Sequence, residues 1–258
     1  MNHRETTVDQ FTRQAAGFAS AATMNDEAAM RLLLDALALG PDETVLDVAC
    51  GPGIVAVAVA PHAREVVGVD LTPEMIELAD RRCAKAGITN ARFEIGDVTK
   101  LPYADGEFTR VVCRYALHHM GDPRAVVGEM ARVCAPGGRV AVADMIVGDD
   151  SEAAERFNAA ERARDPSHVR SMQVRELVSL MTDAGLVASQ VGSYLLPMEL
   201  EALLERSASP DPDAVREIYA RAMDAGQTLG IGERREAGRV RFEFPIAVLS
   251  AERPAPSD

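Results

Sequence analysis

Long apolar runs are missing from this 258-residue sequence. No stretch reaches the ~18 apolar residues of a membrane span, so no transmembrane helix is expected. The opening Met1-Asn2-His3-Arg4-Glu5 has no apolar signal core, and the chain is expected to work in the cytoplasm. Cysteine is scarce, and Cys50, Cys83, Cys113 and Cys134 form no CxxC pair. Each lies in an apolar or Gly-rich stretch, which fits reduced, buried thiols. A chain this long buries a large core and needs neither disulfide nor metal to fold. Lysine is confined to Lys85 and Lys100; arginine supplies the other cations, a genomic bias rather than a functional mark. Acids outnumber bases 40 to 27, a formal net charge of −13. That field repels phosphate backbones and argues against a nucleic-acid partner, although the Arg-rich stretch Arg234–Arg241 keeps a local basic patch open. With 47% hydrophobic and 26% charged residues, collagen, coiled coil and wholesale disorder are excluded. The length fits one domain over 1–258.

Periodicity orders the elements. Val8, Phe11, Ala15 and Phe18 share one side of a helix over 5–22, and Met30, Leu33, Leu34 and Leu37 mark a second, ended by Gly40-Pro41. Short apolar strands then alternate with helices: strands at Thr44–Val48, Glu65–Val69, Ala91–Ile95, Arg110–Tyr115 and Val140–Ile146. Thr72-Pro73 and Asp122-Pro123 are cap signals for the helices that follow. Pro136-Gly137-Gly138 reads as a turn. Further strands are expected at Leu186–Leu196 and Val240–Val248, where Pro245 predicts a bulge or a shortened strand. The pattern is α/β, a doubly wound, mostly parallel, seven-stranded sheet. Residues 1–40 are N-terminal helices, 41–150 the core, and 197–238 a helical insertion before the last strand. The helix with Phe11 and Phe18 either closes over the core's ligand as a lid or packs on the sheet. The stripe Val215, Ile218, Tyr219, Ala222 either walls the substrate side or forms a homodimer contact.

The turn Asp47-Val48-Ala49-Cys50-Gly51-Pro52-Gly53 joins the first strand to a helix, where doubly wound sheets bind ligands. Glycines there let backbone approach a ligand closely. Ala56 leaves a dinucleotide pattern formally allowed. Asp47, however, suits a cationic amino or sulfonium group better than a diphosphate. Asp70 ends the second strand, where a carboxylate can hold both hydroxyls of a ribose. Asp97 ends the third, where an acceptor can take an exocyclic amine. Asp47 as a cap of the glycine turn, and Asp97 as a turn former, remain the plainer alternatives.

These ordered motifs resemble the class I S-adenosylmethionine-dependent methyltransferases, most of all the small-molecule group that includes the ubiquinone/menaquinone C-methylases. The match runs over about 40–150 and continues through Gly68–Met75, Leu101-Pro102-Tyr103, Phe108, Leu117-His118-His119, Glu129–Val133 and Pro136-Gly137-Gly138. The resemblance implies a Rossmann-like methyltransferase fold whose last, antiparallel strand is Val240–Ser250. It implies S-adenosyl-L-methionine as cofactor and a small acceptor that is quinone-like, polyketide-like or another metabolite. Carried across, Asp47, Ala49, Gly51 and Gly53 surround the methionine part, Asp70 binds the ribose and Leu71 packs on adenine. Asp97 and Val98 hold the adenine edge, and Arg114 lends backbone near the methionine amine.

The acceptor is expected beyond the fourth strand, among Tyr115, His118, His119, Met120, Tyr194 and Met198. Methyl transfer is an in-line displacement with a good leaving group, so positioning and desolvation carry much of it. A weakly acidic nucleophile needs a base, and His118, His119 and His168 are candidates for that role or for positioning. At most one of the adjacent pair His118 and His119 is expected to face the site; both are otherwise polar loop residues. His168 and Arg170 either bind an anionic acceptor or order their loop through Asp165. Two other readings compete: a protein that binds the cofactor without transferring methyl, and a nicotinamide-dependent oxidoreductase. A nucleic-acid methyltransferase is opposed by the charge and by the lack of an Asn-Pro-Pro-Tyr-type motif.

Overall fold

The computed structural model describes residues 2–20 and 27–255, without the side chains of residues 16 and 18–20. Phe18 as a lid residue therefore lies outside the described side chains. Helices α1 (His3–Ser20) and α2 (Glu27–Leu37) come first. Strands β1 (Thr44–Val48), β2 (Glu65–Asp70), β3 (Ala91–Ile95), β4 (Phe108–Arg114) and β5 (Cys134–Met145) follow, interleaved with α3 (Ile54–Val59), α4 (Pro73–Lys85) and α5 (Pro123–Val133). Then come α6 (Ser151–Arg164), α7 (Val174–Asp183), β6 (Val187–Glu199), α8 (Leu200–Ser207), α9 (Pro212–Asp224), β7 (Arg234–Glu236) and β8 (Arg239–Glu252). The strands lie in the order β3-β2-β1-β4-β5-β8-β6, with β7 on β8. The first five are parallel, and β8 runs against both β5 and β6.

The central strands β1, β2, β4 and β5 read as largely apolar runs because both faces of the sheet are covered there. On one face α2 and α3 close over Val45, Val66, Val112 and Ala141. On the other, α5 and α7 close over Leu46, Val67, Val111 and Val140. Each such side chain contributes about 1.5–3 kcal/mol on full burial. A third cluster rises beyond the strand ends, where α6, α8 and α9 pack Phe157, Leu204 and Tyr219 against Phe242 and Phe244 of β8. Val215, Tyr219 and Ala222 are buried in it and Ile218 packs on it, so that stripe faces its own chain rather than a second copy.

Three local expectations need correction. The sheet has an eighth strand, β7, a charged three-residue segment with no apolar pattern to betray it. It folds onto β8 through Ala237-Gly238, both left-handed (φ 49 and 78), as a tight hairpin turn requires. Pro245 neither bulges nor shortens β8: it pairs with Leu195, and its carbonyl accepts from Ile146 N (2.9 Å). Its missing N–H therefore faces the side where β5 has already ended, and no ladder bond to β6 is lost. The bulge lies in β6, between Gln190 and Gly192. Thr72 precedes α4 but its side chain makes no cap bond, whereas Asp122 caps α5 by accepting from Ala125 N (3.1 Å). Pro136-Gly137-Gly138 is an outward loop within β5, across which pairing jumps from Cys134 to Arg139.

Gly53 shows where the glycine turn is constrained by packing. Its φ is +74°, and an added Cβ would stand 2.9 Å from the Ala79 Cβ of α4. Gly51 is left-handed too, but no atom of the described residues lies within 4 Å of an added Cβ. Gly53→Ala should therefore cost about 2 kcal/mol or more, and Gly51→Ala only about 1 kcal/mol. Urea-unfolding midpoints of the two variants check this order.

Candidate active site

β1 and β4 are neighbours, yet the chain leaves β1 toward β2 and leaves β4 toward β5. Diverging connections open a crevice at the carboxyl ends of this pair. The residues that leave the two strands, Ala49 and Tyr115, both have φ +55. Non-glycine residues pay about 1–2 kcal/mol for that conformation, so the surroundings must impose it. For Tyr115 the restraints are its N–H, which donates to Ala143 O (2.8 Å), and its hydroxyl, which is hydrogen-bonded to that of Tyr194.

The crevice has two lobes roofed by α1. Phe11, Tyr115 and His119 line both. The first lobe encloses about 1000 Å³ including its mouth. Ala49, Gly51, Asp70, Leu71, Asp97 and Val98, all candidate cofactor contacts from the sequence, stand on its walls. The Asp70 carboxylate accepts from Gly51 N and from Thr72 N, both at 2.9 Å. Burial raises its pKa above the usual carboxylate value, and these N–H groups work against that rise. Each oxygen keeps acceptor capacity for a ligand hydroxyl. Asp97 closes a turn, and it also stands on the wall of the lobe. Its Oδ1 accepts from Thr99 N (2.9 Å) and Oγ1 (2.6 Å), which lowers its pKa.

Three expected contacts lie behind the wall. Gly53 packs on α4, as described. Arg114 is buried, with its guanidinium 4.4 Å from the centre of the Tyr115 ring and against the Tyr194 hydroxyl. Asp47 lies within β1 with 1% exposure, and its Oδ2 has no hydrogen-bond partner among the described residues. Burial and the nearby Asp70 push its pKa up to about 8, opposed by Arg114. An orphaned buried carboxyl oxygen beneath the glycine turn, and the clear space above Gly51, fit a ligand that carries a cationic amino acid end.

The second lobe is mostly apolar. Phe11 of α1, Met145, Leu196, Met198, Phe244 and Ile246 form its sides. Its polar end holds both His118 and His119, not one of them. Leu117–His119 is a short 3-10 turn that aims consecutive side chains inward. His118 Nδ1 is hydrogen-bonded to Asp144 Oδ1 (2.5 Å), and its backbone N–H donates to Asp144 Oδ2 (3.1 Å). His119 Nδ1 meets Ser167 Oγ (3.0 Å), whose hydroxyl donates to Asp165 Oδ1 (2.5 Å). Arg164, buried, is bracketed by Glu161 (2.6 Å) and Asp165 (3.8 Å). Gln14 of α1 donates to Asp165 (2.9 Å), which ties the roof to this end.

His168, Arg170 and Tyr194 are not on the walls. His168 sits behind, with Nε2 on Asn158 (2.9 Å) and its ring 5.5 Å from that of His118. Arg170 turns outward into a two-pronged pair with Glu176 (2.9 and 3.1 Å) at the start of α7. Tyr194 stands behind Tyr115 as its hydrogen-bond partner. Met120 lines the first lobe rather than the second. Asp144 was missed, although it is the single polar residue in the apolar run Val140–Ile146. Gln14 had no such signal, because the fold brings it from α1 to Asp165, 151 residues away; Glu161 and Arg164 read as an ordinary i,i+3 pair on α6.

Residues 45–138 match the model of a methyltransferase domain. The uncharacterized methyltransferase YcgJ of Bacillus subtilis is 35% identical over 169 residues, 66% of this chain and 67% of that protein. The chain belongs to the class I S-adenosylmethionine-dependent methyltransferases. The crystal structure of YcgJ superposes with a TM-score of 0.80 at 27% identity, over 89% of this chain and 99% of that one. The demethylmenaquinone methyltransferase of Renibacterium salmoninarum is 35% identical over 114 residues, 44% of this chain and 46% of that protein. The cofactor of this methyltransferase is thus S-adenosylmethionine. Among the described residues no helix is long and apolar enough to cross a membrane.

The histidine cluster of this methyltransferase gives its stability a pH dependence. Burial, then the neighbouring His118, pushes the pKa of His119 from 6.5 down to about 3; burial also lowers that of His168. The unfolded chain binds these protons below pH 6.5 while the folded one refuses them. Stability is therefore full above pH 6.5 and falls as pH drops toward 3, with a limiting slope of about 1.4 kcal/mol per pH unit for each histidine. Urea unfolding at pH 7.5 and 5.5 should show the loss, and His168→Asn should make it shallower.

Proposed function

We propose that this methyltransferase transfers the methyl group of S-adenosylmethionine to a small, largely apolar acceptor by in-line displacement. A quinone-like, polyketide-like or similar metabolite suits the second lobe. The observation that carries the reading is the meeting of two unlike lobes at Phe11, Tyr115 and His119. One lobe has acids and open backbone, and the other has apolar walls. When bound, the cofactor supplies an electrophilic methyl group on positively charged sulfur.

In this reading Asp70 holds the ribose hydroxyls, Leu71 packs on the adenine, and Asp97 with Val98 meets the adenine edge. Ala49 and Gly51 face the methionine part, above Asp47 and Arg114. Tyr115, held by Tyr194, borders the path from one lobe to the other, and Met198 contacts the acceptor. The roof helix α1 excludes water; His3 Nε2 donates to His119 O (2.7 Å) and Arg4 pairs with Asp97 (3.2 Å). Positioning in a dry cleft is the protein's main contribution to the rate.

Calorimetry with S-adenosylmethionine and with its demethylated product, S-adenosylhomocysteine, tests the reading. Both should bind, and Asp70→Asn should weaken both about tenfold to a hundredfold, the range for hydrogen bonds to a charged group. Binding of neither would overturn it.

A further inference from the structure

The buried charged groups that line the second lobe among the described residues, Arg164 and Asp165, are already paired. Arg164, its buried cation among the described lining residues, already has Glu161 and Asp165. Asp165 is also engaged by Gln14, Ser167 N (2.9 Å) and Ser167 Oγ. Arg206 is half-buried at the rim, where its backbone meets Gly17 of α1. At the buried end of this apolar lobe an ionic acceptor would find Arg164 and Asp165 already committed to each other and to Glu161, Gln14 and Ser167, and burying its charge there is costly.

The two histidines at the reacting end are unlike. The Ser167 hydroxyl is used on Asp165, so Ser167 Oγ accepts from His119 Nδ1–H. With its pKa held down at about 3, His119 is too weak a base near neutrality. His118 has its Nδ1 on Asp144, a carboxylate also anchored by Met145 N (2.7 Å) and His118 N. That contact fixes the tautomer with the proton on Nδ1 and places an anion beside any charge that forms on the ring. Nε2 has no hydrogen-bond partner among the described residues, in a ring that lines the lobe.

Resting on the methyl-transfer reading above, we propose that the acceptor is an uncharged molecule with one weakly acidic hydroxyl, a phenol or enol on an apolar body, and that His118 is the base that takes its proton. The O–H bond breaks toward His118 Nε2 while the oxygen forms a bond to the methyl carbon. The carbon–sulfur bond breaks and its electron pair stays on sulfur. A methyl ether, a neutral thioether and an imidazolium paired with Asp144 result. Asp144 is a positioning residue, acting through His118.

The test uses S-adenosylmethionine with a labelled methyl group and two probes of one ring size, 2-naphthol and 6-hydroxy-2-naphthoic acid. Label should appear on the oxygen of 2-naphthol, and at least about tenfold more slowly on the carboxylated probe. His118→Gln should slow 2-naphthol methylation about a hundredfold, with binding of S-adenosylhomocysteine unchanged. Asp144→Asn should lower kcat and leave KM in place. A nitro-substituted naphthol, already ionised, should narrow the gap between His118→Gln and the native enzyme. Label on carbon, on the carboxylated probe in preference, on no probe, or at the native rate in His118→Gln overturns the proposal. Absence of S-adenosylhomocysteine binding to the native enzyme instead overturns the methyl-transfer reading.

Discussion

Two parallel strands, β1 and β4, lie side by side while the chain departs from them in opposite directions, and the cleft exists because of that parting. The helices that follow the strands cannot close over the gap between them. Backbone emerging there must turn at once, and Ala49, Gly51 and Tyr115 all do so in the left-handed region. The buried Asp70 carboxylate then joins the first turn to the second through Gly51 N and Thr72 N. One acid thus shapes the pocket and stands on its wall.

The third apolar cluster converts this crevice into a two-part site. Without α6, α8, α9 and the far half of β8, the strand ends would open to solvent beyond Tyr115. Phe244 and Ile246 belong to the long strand β8, so the wall of the second lobe is continuous with the sheet that carries the first. The roof is held to both lobes by polar contacts from α1: Arg4 to Asp97 and His3 to His119 on one side, Gln14 to Asp165 on the other. Such contacts are individually weak, about 0.5–1.5 kcal/mol each.

The order of strands and helices was legible because covered strands and amphipathic helices leave different periods in the sequence. The glycine turn and Asp70, Leu71, Asp97 and Val98 were legible because local chain geometry puts strand-end residues on the cleft. Residues whose role depends on a remote partner were not. Arg170 could be read as an anion binder or as a loop-ordering residue, and the sequence did not show that Glu176 takes both of its prongs. Asp144 stood out in an apolar strand, but nothing local joins it to His118, 26 residues away. Asp47 was read as a ligand contact, whereas its place within β1 turns it under the turn rather than into the lobe. The charged β7 carries no period at all, and Pro245 misled because the edge its N–H would face could not be known.

In the proposed reading, the parting of β1 and β4 seats the cofactor with its sulfur turned toward the apolar lobe. A crystal structure with S-adenosylhomocysteine bound tests it most directly. The account predicts ribose hydroxyls on Asp70, adenine between Leu71 and Val98, and sulfur beside Tyr115 and His119. Sulfur pointing to solvent, or the nucleoside lodged among Met145, Leu196 and Phe244, would contradict it.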